Sequence, residues 1–162
     1  MLGWRDMMAE DLDAVEAIAA LVHPRYPESA DVPRERLALF PAGCLLAEAD
    51  SRPAGYVIAH PWRLGTAPAL DSLLGSLPAA PDCLYLHALA LLPSARGDRA
   101  GAAAVARLRA VAAVHGLARI ALVAVNESAG FWRRLGFRAT TPGPDLMAAL
   151  ASYDADATYL IG

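Results

Sequence analysis

The sequence predicts a mixed α/β fold with an antiparallel hairpin and one parallel strand pair, and three observations carry that prediction. Two apolar runs, GCLLAEA at 43–49 and GYVIAHPW at 55–62, flank a connector of turn-forming residues and read as an antiparallel hairpin. Farther along, CLYLHALALL at 83–92, a stretch of helical period at 99–116 and the almost wholly apolar ARIALVAV at 118–125 form a strand, helix, strand unit. A strand without alternation is buried on both faces, as in a parallel pair. Finally, 162 residues at 56% hydrophobic and 19% charged suit a single domain over 1–162 with a sizeable core.

The elements follow in order. EDLDAVEAIAALV sets Leu12, Val15, Ile18 or Ala19, and Val22 on one helical face, and PRERLALF at 33–40 reads as a second helix with proline in its first turn. After the hairpin, residues 63–82 are rich in proline and glycine, with a helical turn or two expected around DSLLGSL; this longest connection reads as a substrate wall. The 99–116 helix lines up Ala104 or Val105, Leu108, Val111 or Ala112, and His115. ESAGFWRRLG is a short helix ended by glycine, FRATT a strand, DLMAALASY fits either element, and ATYLI is a last strand.

Composition excludes several classes. No apolar run reaches the roughly 18 residues of a membrane span, and the first residues lack a basic lead and apolar block, so the expectation is a cytoplasmic protein without a membrane partner. Net charge is −3, and all 14 basic residues are arginine, which gives no electrostatic case for nucleic acid. Cys44 and Cys83 form neither a CxxC nor a zinc-ligand pattern with His23, His60, His87 or His115, so no metal is expected.

The chemistry concentrates in PSARGDRAGAAAV at 93–105, where charges and glycines stand between a strand and a helix. A helix's first turn leaves backbone N–H groups unpaired at the positive end of its dipole, and Gly101 lets a phosphate approach them. Arg96 and Arg99 add charge-assisted donors. The loop lacks the Gly-Lys-Ser/Thr of a P-loop and the third glycine of a dinucleotide fingerprint, and its Arg96-Gly97-Asp98 tripeptide has no adhesive context.

Together with the element order, Arg96, Arg99 and Gly101 resemble the Arg/Gln-x-x-Gly-x-Gly/Ala segment of the GNAT superfamily of N-acetyltransferases, with Arg99 replacing the middle glycine. Downstream, VNESAGFWRRLGF is similar to that family's Asn-x-x-Ala-x-x-Phe-Tyr-x-x-x-Gly-Phe segment through Asn126, Ala129, Trp132, Gly136 and Phe137. The resemblance implies a mixed, mostly antiparallel sheet whose fourth and fifth strands are a splayed parallel pair, with helices on both faces. It implies acetyl-CoA as cosubstrate: Leu89, Ala90 and Leu91 would pair with the pantetheine arm, Arg96, Gly97, Arg99, Ala100, Gly101 and Ala102 would cradle the pyrophosphate, and Asn126 and Trp132 would complete the binding site. Arg133 or Arg134 would reach toward the nucleotide phosphates, although a solvated helix face is the favoured reading of the two. A helix dipole supplies only about 0.3–2 kcal/mol, whereas micromolar affinity needs about 8, so strand contacts and arginines must carry most of the binding.

Acyl transfer to an amine needs a neutral amine, an oxyanion donor and a proton for the thiolate. His87 is the candidate base, because imidazole titrates near 6.5 and strand alternation puts it on the face of Tyr85 and Leu89. A backbone N–H near Ala88 to Ala90 is the oxyanion donor. Tyr153, Tyr85 or water returns the proton, since an indole at 132 cannot. The expected activity is transfer of acetyl from acetyl-CoA to a small amine or peptide N-terminus; the alternative is a non-catalytic CoA-binding or sensing module. Acceptor specificity is expected in the apolar segments 22–42 and 63–82, and a homodimer through an exposed strand such as ATYLI is a further expectation.

Overall fold

The computed structural model describes residues 1–97 and 99–162; Asp98, inside the expected phosphate loop, lies outside the described residues. In chain order the elements are β1 (Leu2–Asp6), α1 (Leu12–Val22), α2 (Asp31–Leu39), β2 (Cys44–Ala49), β3 (Arg52–Trp62) and β4 (Cys83–Leu91). Then come α3 (Ala100–Val114), β5 (Ile120–Ala124), α4 (Ala129–Arg134), β6 (Arg138–Ala139), α5 (Pro144–Ala151) and β7 (Thr158–Ile161). One seven-stranded sheet runs β1, β2, β3, β4, β5, β7, β6, with every pairing antiparallel except β4 with β5. The expected hairpin is β2–β3, turned by Asp50 and Ser51 at φ 51° and 62°.

Side-chain alternation sorts the strands onto two cores. Leu45, Val57, Ala59, Leu84, Leu86, Ile120 and Leu122 pack under Ala104, Val105, Leu108 and Ala112 of α3 and Trp132 of α4. Burying Val105 and Leu108 there contributes about 1.5–3 kcal/mol each. On the opposite face Cys44, Leu46, Tyr56 and Ile58 meet Val15 and Ile18 of α1, while Cys83, Tyr85 and Tyr159 meet Leu146 of α5.

Several expectations are corrected. β1 was not foreseen; it pairs with β2, and Trp4 Nε1 donates to the Ala100 carbonyl at the head of α3. Residues 63–82 contain no helix. Proline and the left-handed Asp71 (φ 57°) prevent one, and the segment's N–H groups are taken by side chains instead: Leu64 by Asp82, Leu70 by Ser152, Leu74 and Gly75 by Glu35. FRATT shrinks to the two residues of β6, because Pro142 and Pro144 follow and proline cannot donate to a ladder. The 145–153 stretch is helical as far as Ala151, with Ser152 and Tyr153 in a turn: Pro144 opens α5 after an extended Gly143, and good helix formers follow. The ATYLI strand is no exposed edge, since β7 is hydrogen-bonded to β5 on one side and β6 on the other.

Candidate active site

One break in register makes the cleft. Ile58 of β3 opposes Ala88 of β4 while Ala59 opposes Leu86, so His87 is an extra residue in a β-bulge. Beyond it the alternation is reset: Ala88 and Ala90 join the α1 core, whereas Leu89 packs toward α3. The expectation that His87 shares a face with Leu89 is therefore corrected, because uninterrupted alternation does not survive a bulge.

The parallel pairing ends at the same point. Leu84, Tyr85 and Leu86 match Ile120, Ala121 and Leu122, and no pairing between the two strands continues beyond them, although β4 runs to Leu91 and β5 to Ala124. The β5-side backbone groups at the end of β4, apart from the Leu91 carbonyl, which accepts from Arg96 Nε, have no strand partner and can meet an added strand-like one. A cleft of about 1180 Å³ opens here, lined by Leu89, Leu91, Arg96, Gly97, Arg99, Ala100, Gly101, Ala102, Asn126 and Trp132.

The structure brings these expected cofactor residues to one cleft; Ala90, also expected there, is not in its lining and is buried in the α1 core. Gly97 has φ 96° and Arg99 has φ 57°, so at the position where the resembled family carries glycine this chain holds an arginine in the left-handed region. Arg96 Nε donates to the Leu91 carbonyl at 3.1 Å, which anchors this cation at the end of β4. At Gly101 a Cβ would lie 2.7 Å from the Phe131 ring, so α3–α4 packing gives a reason for glycine beside the expected one. Asn126 sits at φ 55°, and its Nδ2 lies 3.3 Å from His23 Nδ1. Trp132 is buried against Phe131 and Phe137. Arg133 and Arg134 are exposed on α4 and do not line the cleft.

At the acceptor end His87 Nε2 stands 2.7 Å from Glu28 Oε1, and Glu28 Oε2 accepts from the Asp71 backbone N–H at 3.0 Å. Asp71 returns the contact by accepting from Ser29 N at 2.7 Å, so a two-bond clasp holds the 63–82 segment over the site. Burial works to raise the Glu28 carboxyl, but the His87 hydrogen bond and charge, with the Asp71 N–H, outweigh it and hold it below the ordinary carboxylate value. Burial pushes the nearby His23 imidazole down, and it too lines the cleft. Tyr153 lines the cleft, its hydroxyl 3.5 Å from the Pro68 carbonyl, and burial pushes it up to about 12. Tyr85 is only 1% exposed and is not among the cleft-lining residues, but its hydroxyl lies beside that of Tyr153, which is, and burial raises it well above its ordinary value. Glu28 was missed: it comes from a turn after α1, fifty-nine residues from His87, and no local pattern marks it.

Among the described residues no cluster of three or more potential metal ligands occurs, and no helix is long and apolar enough to cross a membrane. The sequence matches the family model described as the acetyltransferase (GNAT) family over residues 8–137. The chain belongs to the GNAT acetyltransferase family. No curated protein matches it. Similar solved structures include GphF, a GNAT-like decarboxylase in complex with isobutyryl-CoA (TM-score 0.78, 17% identity, 98% of this chain and 97% of that one). The loading GNATL domain of CurA from Lyngbya majuscula follows (0.75, 13%, 99% and 96%). Naa50 of Arabidopsis thaliana, in complex with the bisubstrate analogue CoA-Ac-MVNAL, is also similar (0.71, 12%, 99% and 96%). In its GNAT architecture the sheet is mostly antiparallel with a parallel β4–β5 pair, as the sequence predicted.

Proposed function

We propose that this GNAT protein transfers an acetyl group from acetyl-CoA to an amine, a small molecule or a peptide N-terminus, by direct attack. The observation that carries the reading is the unpaired length of β4 beside the arginine- and glycine-bearing start of α3, with the Glu28–His87 pair next to it. The pantetheine arm adds to the free edge of β4 at Leu89 and Leu91, the pyrophosphate lies on the first N–H groups of α3 between Arg96 and Arg99, and the thioester is carried toward His87. Bound acetyl-CoA supplies an activated acyl carbonyl.

The chain's own groups supply the rest. The Glu28–His87 pair draws the proton from the acceptor nitrogen, a backbone N–H at the bulge after His87 faces the developing oxyanion, and Tyr153, held protonated by burial, stands ready to donate to the thiolate. An acceptor of pKa near 10.4 costs about 4.6 kcal/mol to neutralise at pH 7, and an α-amine near 7.7–8.0 only about 1–1.4, so α-amines suit the site better. Naa50, whose solved complex joins CoA to a peptide, fits the same reading.

A decarboxylase reading, prompted by GphF, is disfavoured by charge. Glu28 brings a carboxylate to the acceptor end, which attracts an ammonium and repels the carboxylate that a decarboxylation must place there. The test is thiol release from acetyl-CoA against a panel of amines, with malonyl-CoA alone as the decarboxylation control. Release that depends on an amine supports the proposal; carbon dioxide from malonyl-CoA without an amine contradicts it, and acetyl-CoA binding without release supports a sensing module.

A further inference from the structure

Three segments far apart in the sequence meet at the acceptor end of the cleft, and each is bonded to the other two. The turn after α1 reaches the turn after α5: the Tyr26 hydroxyl donates to Asp154 Oδ2, and Arg25 Nη2 stands 3.9 Å from the same oxygen. The 63–82 segment is held to the first turn by the Asp71 contacts with Glu28 and Ser29. It is held to the second by the Leu70 N–H, which donates to Ser152 Oγ at 2.9 Å, and by the Tyr153 hydroxyl, 3.5 Å from the Pro68 carbonyl. These ties close a ring. Tyr26, Leu70 and Tyr153, one from each segment, line the cleft inside it.

We infer that the acceptor is a small primary amine with an apolar body and no carboxylate, and that a peptide N-terminus is disfavoured. The inference rests on the acetyl-transfer reading and narrows its acceptor class. With the pantetheine arm along the end of β4, the amine meets the thioester on the side that the ring encloses. The body of a small amine stops inside the ring. A peptide continues outward at about 3.3–3.6 Å per residue, so its second and third residues must pass between segments that are bonded together. Opening one tie to a charged group costs about tenfold or more in affinity.

The lining sets the polarity. Val32, Pro33, Ile58 and Leu70 present apolar surface to this end, beside the Tyr26 and Tyr153 rings, whose centroids are 6.4 Å apart. Of the ionised side chains in the cleft lining, both arginines, Arg96 and Arg99, stand at the phosphate end, whereas Glu28 stands here. Arg36 of α2 is fully buried and lies outside the lining. An acceptor carboxylate would therefore be buried beside a like charge with no cation to meet it. Simple apolar amines and amino-acid amides satisfy both limits; free amino acids fail the second and peptides the first.

The test compares kcat/KM of the wild type, at saturating acetyl-CoA, for leucinamide, leucine and a hexapeptide amide that begins with leucine, and for the same set built on phenylalanine. In each set the amide is expected to exceed the other two by about tenfold or more. A hexapeptide or a free amino acid that matches the amide overturns the inference. Asp154→Ala removes two of the ties and is expected to raise the hexapeptide-to-amide ratio by about fivefold. The ratio is read within one protein, so a partly folded variant does not distort it, and an unchanged ratio overturns the ring as the cause. Failure of the transfer reading looks different: no amine of any kind then releases thiol. Calorimetry on the CoA-loaded protein with the same probes then applies the same tenfold criterion, and equal or absent binding overturns the inference.

Discussion

The Cβ that Gly101 lacks would stand 2.7 Å from the ring tip of Phe131, so the first turn of α3 and the first turn of α4 touch where the cofactor wall is built. Overpacking of this kind costs about 1–3 kcal/mol. Gly101→Ala is expected to lower the melting temperature and weaken acetyl-CoA binding together, read by thermal unfolding and calorimetry. A variant that melts like the wild type contradicts the packing account of this glycine.

Arg99 occupies a left-handed conformation in which glycine carries no steric cost. Arg99→Gly removes that strain but frees the unfolded chain, so a net gain within about 1 kcal/mol is expected in chemical denaturation. Arg99→Ala keeps the strain while losing the side chain. It is expected to be less stable than Arg99→Gly, and the reverse order contradicts the reading.

Arg96 is fixed on the Leu91 carbonyl at the cleft wall, where its charge serves a diphosphate. A hydrogen bond to a charged group is worth about 1.5–3 kcal/mol, so Arg96→Ala is expected to raise the Kd for acetyl-CoA by about tenfold or more. The deficit should shrink as salt rises. Arg134→Ala, on the exposed side of α4, serves as the comparison and is expected to change Kd less than threefold.

Burial holds His60 down to about 3 from its ordinary 6.5, its Nδ1–H donating to the Pro61 carbonyl. Between those values the unfolded chain carries a proton at this site that the folded chain refuses. Its contribution to stability is therefore full above pH 6.5 and is lost as pH falls from 6.5 toward 3. One proton corresponds to about 1.4 kcal/mol per pH unit. His60→Gln is expected to flatten the acid slope of unfolding free energy by about that amount, and an unchanged slope contradicts the assignment.

The sequence carried the sheet's main logic because each piece had a local signature. Apolar runs and turn residues announced β2–β3, and the non-alternating 118–125 run announced a buried parallel strand. What stayed hidden was non-local. The bulge in the fourth strand is implied by the family resemblance, but its position leaves no mark in CLYLHALALL, so plain alternation gives the wrong phase for Leu89. Glu28 reaches His87 only after α1, α2 and three strands have been assembled. In the 63–82 segment a helical turn is expected around DSLLGSL, but side-chain carboxylates and a hydroxyl take the backbone donors there.

The central claim is that the gap between β4 and β5 holds acetyl-CoA with its acyl carbon facing an amine beside Glu28 and His87. The most direct measurement is mass spectrometry of an amine panel incubated with acetyl-CoA, with thiol release followed in parallel. The account predicts an acetylated amine formed in step with free CoA, strongest for α-amines. Tight acetyl-CoA binding with neither product, or thiol released at the same rate without any amine, would contradict it.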